Sequence, residues 1–158
     1  MTISNAWAPP DAAVTLIAAS KFDNLVNGGW VSSATAGGAP FDNRTNYRPY
    51  FRGGLVLPSA LTAGASAPYV ALFAVPCLDL TGGAWPDPPA LLAEACPAQY
   101  HVANGLAIPS ASFTSCNFPE FILGPFVYHF LMQNNLGATL QSSGAFALTG
   151  NTFTESAA

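Results

Sequence analysis

Tyr69, Val70, Ala71, Leu72, Phe73, Ala74, Val75, Pro76 and Cys77 form an uninterrupted run without a charged or amide side chain, and its reading decides the fold. Side chains alternate along a strand, so one face carries Tyr69, Ala71, Phe73 and Val75, and the other Val70, Leu72 and Ala74. Phe126, Tyr128, Phe130 and Met132 oppose Val127, His129 and Leu131 in the same way. Strands that are apolar on both faces need two covers. The inner cover is a second sheet; the outer one is either the chain's own loops or another subunit.

Working outward, no segment keeps a 3.6-residue apolar period long enough to demand a helix. Short apolar or alternating runs punctuated by Gly, Pro and Asn recur instead. The expected strands are Ala13 to Ala19, Trp30 to Thr35, Tyr47 to Leu57, Tyr69 to Leu78, Gln99 to Asn104, Leu106 to Thr114, Phe126 to Gln133, Ala138 to Gln141 and Ala145 to Thr152. Eight or nine such strands predict an all-β, two-sheet antiparallel β-sandwich, of which the jelly roll is one form. Asn134, Asn135 and Gly137 predict a tight hairpin turn, and Ser142, Ser143 and Gly144 a second. Thr81 to Pro97 holds Pro86, Pro88, Pro89 and Pro97 and is expected to be an excursion loop outside the sheets. Residues 1–11, with Pro9 and Pro10, read as an extended N-terminal arm with Trp7 as an anchor. Residues 12–158 read as one sandwich domain.

Composition narrows the function. Charged residues make up 8% of the 158, against about 25% in an ordinary soluble domain, while 51% are hydrophobic. Ser, Thr, Asn and Gln replace the missing charge, and a surface of that kind is buried against a partner without desolvating ions. The composition therefore points to a subunit of a larger assembly. A net charge of −4 gives a nucleic-acid backbone little to attract. The best candidate for a spanning run, Ala12 to Ser20, is far too short to cross a membrane, and the first 20 residues lack the Lys or Arg of a secretory signal. A soluble protein used without export is the expectation. Three of the four cations, Arg44, Arg48 and Arg52, lie close together, where a neighbouring subunit's carboxylate can dock. Together with Trp7, Pro9, Pro10 and Trp85, Arg48 and Arg52 are the candidate partner-contact residues.

Chemistry is sparse. His129 sits mid-strand and reads as a hydrogen-bonded structural histidine, and His101 lies beside Tyr100. Cys77, Cys96 and Cys116 lack metal or redox spacing and read as buried thiols, a Cys77 to Cys96 bridge being the alternative in an oxidising environment. Asp79 and Asp87 flank Trp85 and are the nearest approach to a sugar-cleaving carboxylate pair, although an Asp in a turn more often bonds its own backbone. No catalytic residue, cofactor or metal site is expected, and the chain reads as non-enzymatic.

The segment Phe41-Asp-Asn-Arg-Thr-Asn46 follows a Trp-containing turn, Gly28, Gly29 and Trp30 with Ser32 and Ser33. After it come the apolar strand and Gly/Pro-Asp loop of Tyr69 to Pro88, then the strand and Asn-rich turn of Phe126 to Gly144. This order of parts, from about Asn24 to Thr152, resembles small virion proteins of tailed bacteriophages; the Pro-rich loop from Pro86 to Pro97 departs from it. The resemblance implies a β-sandwich structural protein of the virion, a capsid decoration or cement protein assembled in the host cytoplasm. Its partners would be the major capsid protein or other virion proteins, and a homo-oligomer is expected, a trimer fitting local three-fold joints. The rival expectation is a tail or baseplate component with an adhesin-like, carbohydrate-binding role, using Trp30, Trp85 and loop tyrosines.

Overall fold

The computed structural model describes residues 5–7, 12–17, 22–33, 40–44, 48–77, 100–107, 112–140, 147–153 and 155–157. The regular elements among them are strands: β1 (Asn5–Trp7), β2 (Val14–Ile17), β3 (Trp30–Ser32), β4 (Phe41–Asp42), β5 (Tyr50–Thr62), β6 (Tyr69–Cys77), β7 (His101–Leu106), β8 (Ser112–Asn117), β9 (Phe121–Ile122), β10 (Val127–Asn135), β11 (Ala147–Phe153) and β12 (Glu155–Ala157). They build an antiparallel two-sheet sandwich, as the alternation predicts. One sheet has the order β3-β10-β6-β7, with β4 also on β10; the other has β2-β11-β5-β8, with β9 also on β5. β1 and β12 form a separate ladder that sets Trp7 opposite Glu155.

The pairs nest along the chain: β2 with β11, β3 and β4 with β10, β5 with β8 and β9, and β6 with β7. Two further pairs, β5 with β11 and β6 with β10, complete the sheets.

The two doubly apolar strands lie in the middle of the first sheet. β6 and β10 pair along their full lengths, from Cys77 opposite Val127 to Tyr69 opposite Asn135. Their inward residues Val70, Leu72, Ala74, Tyr128, Phe130 and Met132 share one core with Ile17, Phe51, Leu55, Cys116 and Leu148 of the other sheet. Pro76, which lacks a ladder donor, falls beyond the reach of β7, whose pairing to β6 stops at Phe73. On the outward face Ala71, Phe73, Val75 and Leu131 form a second cluster, against which Trp30, Tyr69 and Tyr100 pack. Leu131 is fully buried within the single chain. The outer cover over the middle of this sheet is therefore intramolecular, while Leu106 at its β7 edge is exposed.

Phe51 is the centre of the core. Its ring stacks on Phe130 at 5.4 Å, lies 5.0 Å from Phe121 and meets Phe41 edge-on at 5.8 Å. Space for it comes from β11: a Cβ on Gly150 would overlap the ring itself.

The end of the sandwich departs from the sequence reading. Ala138 to Leu140 is irregular rather than strand, and β10 does not form a hairpin with its successor, since β11 lies in the opposite sheet. The reason is that Leu136 and Leu140 are fully buried plugs, a use the polar turn signal does not reveal. Gly137 adopts the positive φ (74°) expected of it, while Gly64 and Ala65 donate to the Leu136 carbonyl. Asn134, fully buried, ties the region together. Its amide donates to the carbonyls of Leu25, Val26 and Ala138 at 2.8 to 3.2 Å, and its Oδ1 accepts from Leu136 N–H.

The expected strand Leu106 to Thr114 is two elements, since Leu106 closes β7 and Ser112 opens β8. β4 and β9, two residues each, are too short to show periodicity in the sequence. The Pro-rich excursion, the turn at Ser142 to Gly144, and Cys96, Asp79 and Asp87 lie outside the described residues.

Cys116, opposite Leu55 in the core, has its thiol pushed up to about 11 by burial. A raised folded value means a stability contribution that is complete below the ordinary thiol value of 9.0 and lost as pH rises through 11. Urea midpoints of the wild type should therefore fall more steeply between those pH values than midpoints of Cys116→Ala. Parallel curves would contradict this.

Candidate functional site

The outer face of the second sheet is open over its central strands, where that of the first is covered. Arg52 on β5 stands opposite Asn151 on β11, and Gly54 lies between Asn117 on β8 and Thr149 on β11. Directly opposed residues share a sheet face, so these side chains converge. They line a groove of about 440 Å³, with Val56 and Ala13 beside them. Its floor is Gly54, where an added Cβ would come within 2.9 Å of Asn117 Oδ1. The Arg52 guanidinium lies 5.8 Å from the centroid of the Phe153 ring, which is itself stacked on Tyr50 at 5.6 Å. A cation over an aromatic face is held there electrostatically, which limits the wandering of a long side chain. The groove lining thus combines one cation, two amides and a hydroxyl, and contains no carboxylate. Val56 and Ile122 add exposed apolar area on the same sheet.

The three arginines that the sequence groups together have separate employments. Arg44 closes on Asp42 in a bidentate pair, Nε to Oδ1 at 3.0 Å and Nη2 to Oδ2 at 2.8 Å, which holds the Asp42 carboxyl below its ordinary value. Arg48 is half-buried in the turn before β5, its backbone gripped by Asn43: N–H to Oδ1 at 3.3 Å, and the carbonyl accepting Nδ2 at 3.1 Å. The same Nδ2 reaches the Gly124 carbonyl at 3.1 Å. Arg52 alone of the three lies in the groove. Trp7 is in β1, away from both sheets in the topology, and Pro9, Pro10 and Trp85 lie outside the described residues. Asn117, Thr149 and Asn151 were not foreseen. They come from segments far apart in sequence, and no local pattern marks them.

A second hollow of about 340 Å³ opens between the sheets beside β2 and β4, lined by Val14, Leu16, Ser33, Phe41, Asp42 and Phe130 among others. Ser33, which lines it, has its Oγ 3.3 Å from His129 Nδ1 and accepts the Phe130 N–H at 3.0 Å. Both side chains are buried, and the serine oxygen is engaged by the backbone, so the pair locks β3 to β10. Among the described residues, no group of three His, Cys, Asp or Glu is placed to hold a metal, and no helix is long and apolar enough to cross a membrane. Trp30 rests one side against Phe73, 5.0 Å between centroids.

What these features define is a β-sandwich with one sheet self-covered over its central strands and the other open around a groove whose lining carries a single charge, an arginine. No family profile, curated protein or solved structure matches the chain.

Proposed function

We propose that this chain is a non-enzymatic structural subunit of a virus particle, a decoration or cement protein that clamps joints between copies of a major capsid protein. The observation that carries the reading is the asymmetry of the sandwich: one outer face is covered by the chain itself over its central strands, and the other is left open around a groove with a single cation and with exposed Val56 and Ile122 beside it. Interfaces that persist have this composition.

The strand pairing supports it. Nested pairs from a strip folded in half, closed by β5 with β11 and β6 with β10, support reading the sandwich as a jelly roll, an architecture common in capsid and lectin domains. The motifs behind the likeness to phage virion proteins also have structural employments here. Asn43 of the Asp-Asn segment holds a turn, and Asn134 of the Asn-rich turn exchanges backbone bonds with Gly28 and Gly29. Apolar contact is worth on the order of 25 kcal/mol per 1,000 Å² before association costs, so many copies would strengthen a shell.

The test is sedimentation of the isolated chain, then co-pelleting with particles from its source. Binding at fixed stoichiometry is expected, saturating at a number set by the particle's symmetry. A chain that ignores particles would overturn the reading.

A further inference from the structure

We infer that the groove on the open sheet is a carboxylate-docking site, and that Arg52 receives an aspartate or glutamate side chain presented by the protein partner. A carboxylate binds best to a guanidinium that offers two parallel N–H donors, with neighbouring neutral donors to satisfy its remaining lone pairs. Arg52 supplies the first, and Asn117, Asn151 and Thr149 the second. The ring of Phe153 holds the guanidinium over the sheet.

Charge complementarity selects the occupant. The groove lining contains a cation and no carboxylate, whereas Arg44, eight positions earlier, is already closed on Asp42. The missing side chain at Gly54 leaves the sheet backbone and Asn117 as the floor of the groove below Arg52. Exposed Val56 lines the groove and gives the arginine contact an apolar neighbour that helps to exclude water. Only the identity of the partner as a shell protein rests on the function proposed above; the carboxylate site rests on the groove itself.

Two measurements separate the two. In the first, the ¹⁵N-labelled chain is titrated with acetylated tetraglutamate, and with inorganic phosphate at equal ionic strength. Shifts are expected at the Arg52 Nε–H and at the Asn117 and Asn151 side-chain amides. They should weaken at least threefold between about 50 and 300 mM salt, as a partly exposed charge contact does. Arg52→Gln should abolish them and Arg44→Gln leave them in place. Absent shifts, shifts centred elsewhere, or equal shifts with phosphate would each overturn the carboxylate site. In the second, Arg52→Gln is compared with wild type for co-pelleting with particles, where at least a tenfold loss of affinity is expected. Unchanged pelleting of a folded Arg52→Gln would remove the groove from the interface. Failure of the wild type itself to pellet would count against the shell role, with the titration still deciding the site.

Discussion

Phe51→Ala is expected to cost about 3–5 kcal/mol of stability and to lower the melting temperature by roughly 10 °C or more. The ring is fully buried and touches Phe41, Phe121 and Phe130, which reach it from β4, β9 and β10, so its removal leaves a cavity between both sheets. Neighbouring aromatic rings are rigid and cannot collapse into the space. A double-mutant cycle gives the sharper test. Gly150→Ala alone drives a methyl group into the Phe51 ring and should destabilise by about 1–3 kcal/mol, whereas in the Phe51→Ala background the same methyl enters a cavity and should cost little. Additive costs would mean that Phe51 and Gly150 do not share this space. Denaturant midpoints at constant slope measure all four corners.

Asn134→Ala should rank beside it, at about 2–4 kcal/mol, although it removes only a few atoms. Its amide serves three carbonyls and its oxygen one N–H. Truncation therefore takes the side-chain partner from the Leu136 N–H and the Ala138 carbonyl, and a second donor from the Leu25 and Val26 carbonyls, which also accept from Leu140 and Gly29. The loss should also have an address. Amides of Leu25 to Gly29 and of Leu136 to Leu140 should exchange faster with solvent, while those in the middle of β5 and β11 keep their protection ratio. A uniform acceleration would mean that the asparagine supports global stability only. Arg52→Gln, by contrast, should change stability by less than about 0.5 kcal/mol, because the arginine is exposed on the sheet.

Much of the fold could be read from the chain because the decisive signal is local. The double-faced apolar runs at Tyr69 to Cys77 and Val127 to Met132 mark the central strands of a sheet, and both are found in the middle of one. The hairpin after β10 was misread for a physical reason: Asn134, Asn135 and Gly137 carry turn chemistry, but nothing nearby reveals that Asn134 bonds to residues more than a hundred positions away. A turn residue and a buried amide hub have the same letter. The docking groove was half legible. Arg52 was visible as a cation in a charge-poor chain, whereas Asn117, Thr149 and Asn151 are ordinary polar strand residues until pairing brings them beside it. Arg44 shows the converse, a cation whose partner two residues away takes it out of play.

The self-covered sheet also bears on how growth stops. A sandwich with two sticky sides can stack like tiles, each arrival offering a fresh surface to the next, and contacts of that head-to-tail kind run on into fibres. Here Phe73 and Leu131 are already packed against Trp30, Tyr69 and Tyr100, so the centre of that sheet has little apolar surface left to offer a newcomer. If the chain docks through its arginine side, as proposed, attachment would end with the first layer. The result would be a coat one molecule thick, its copy number dictated by the surface beneath it rather than by the concentration of free subunits.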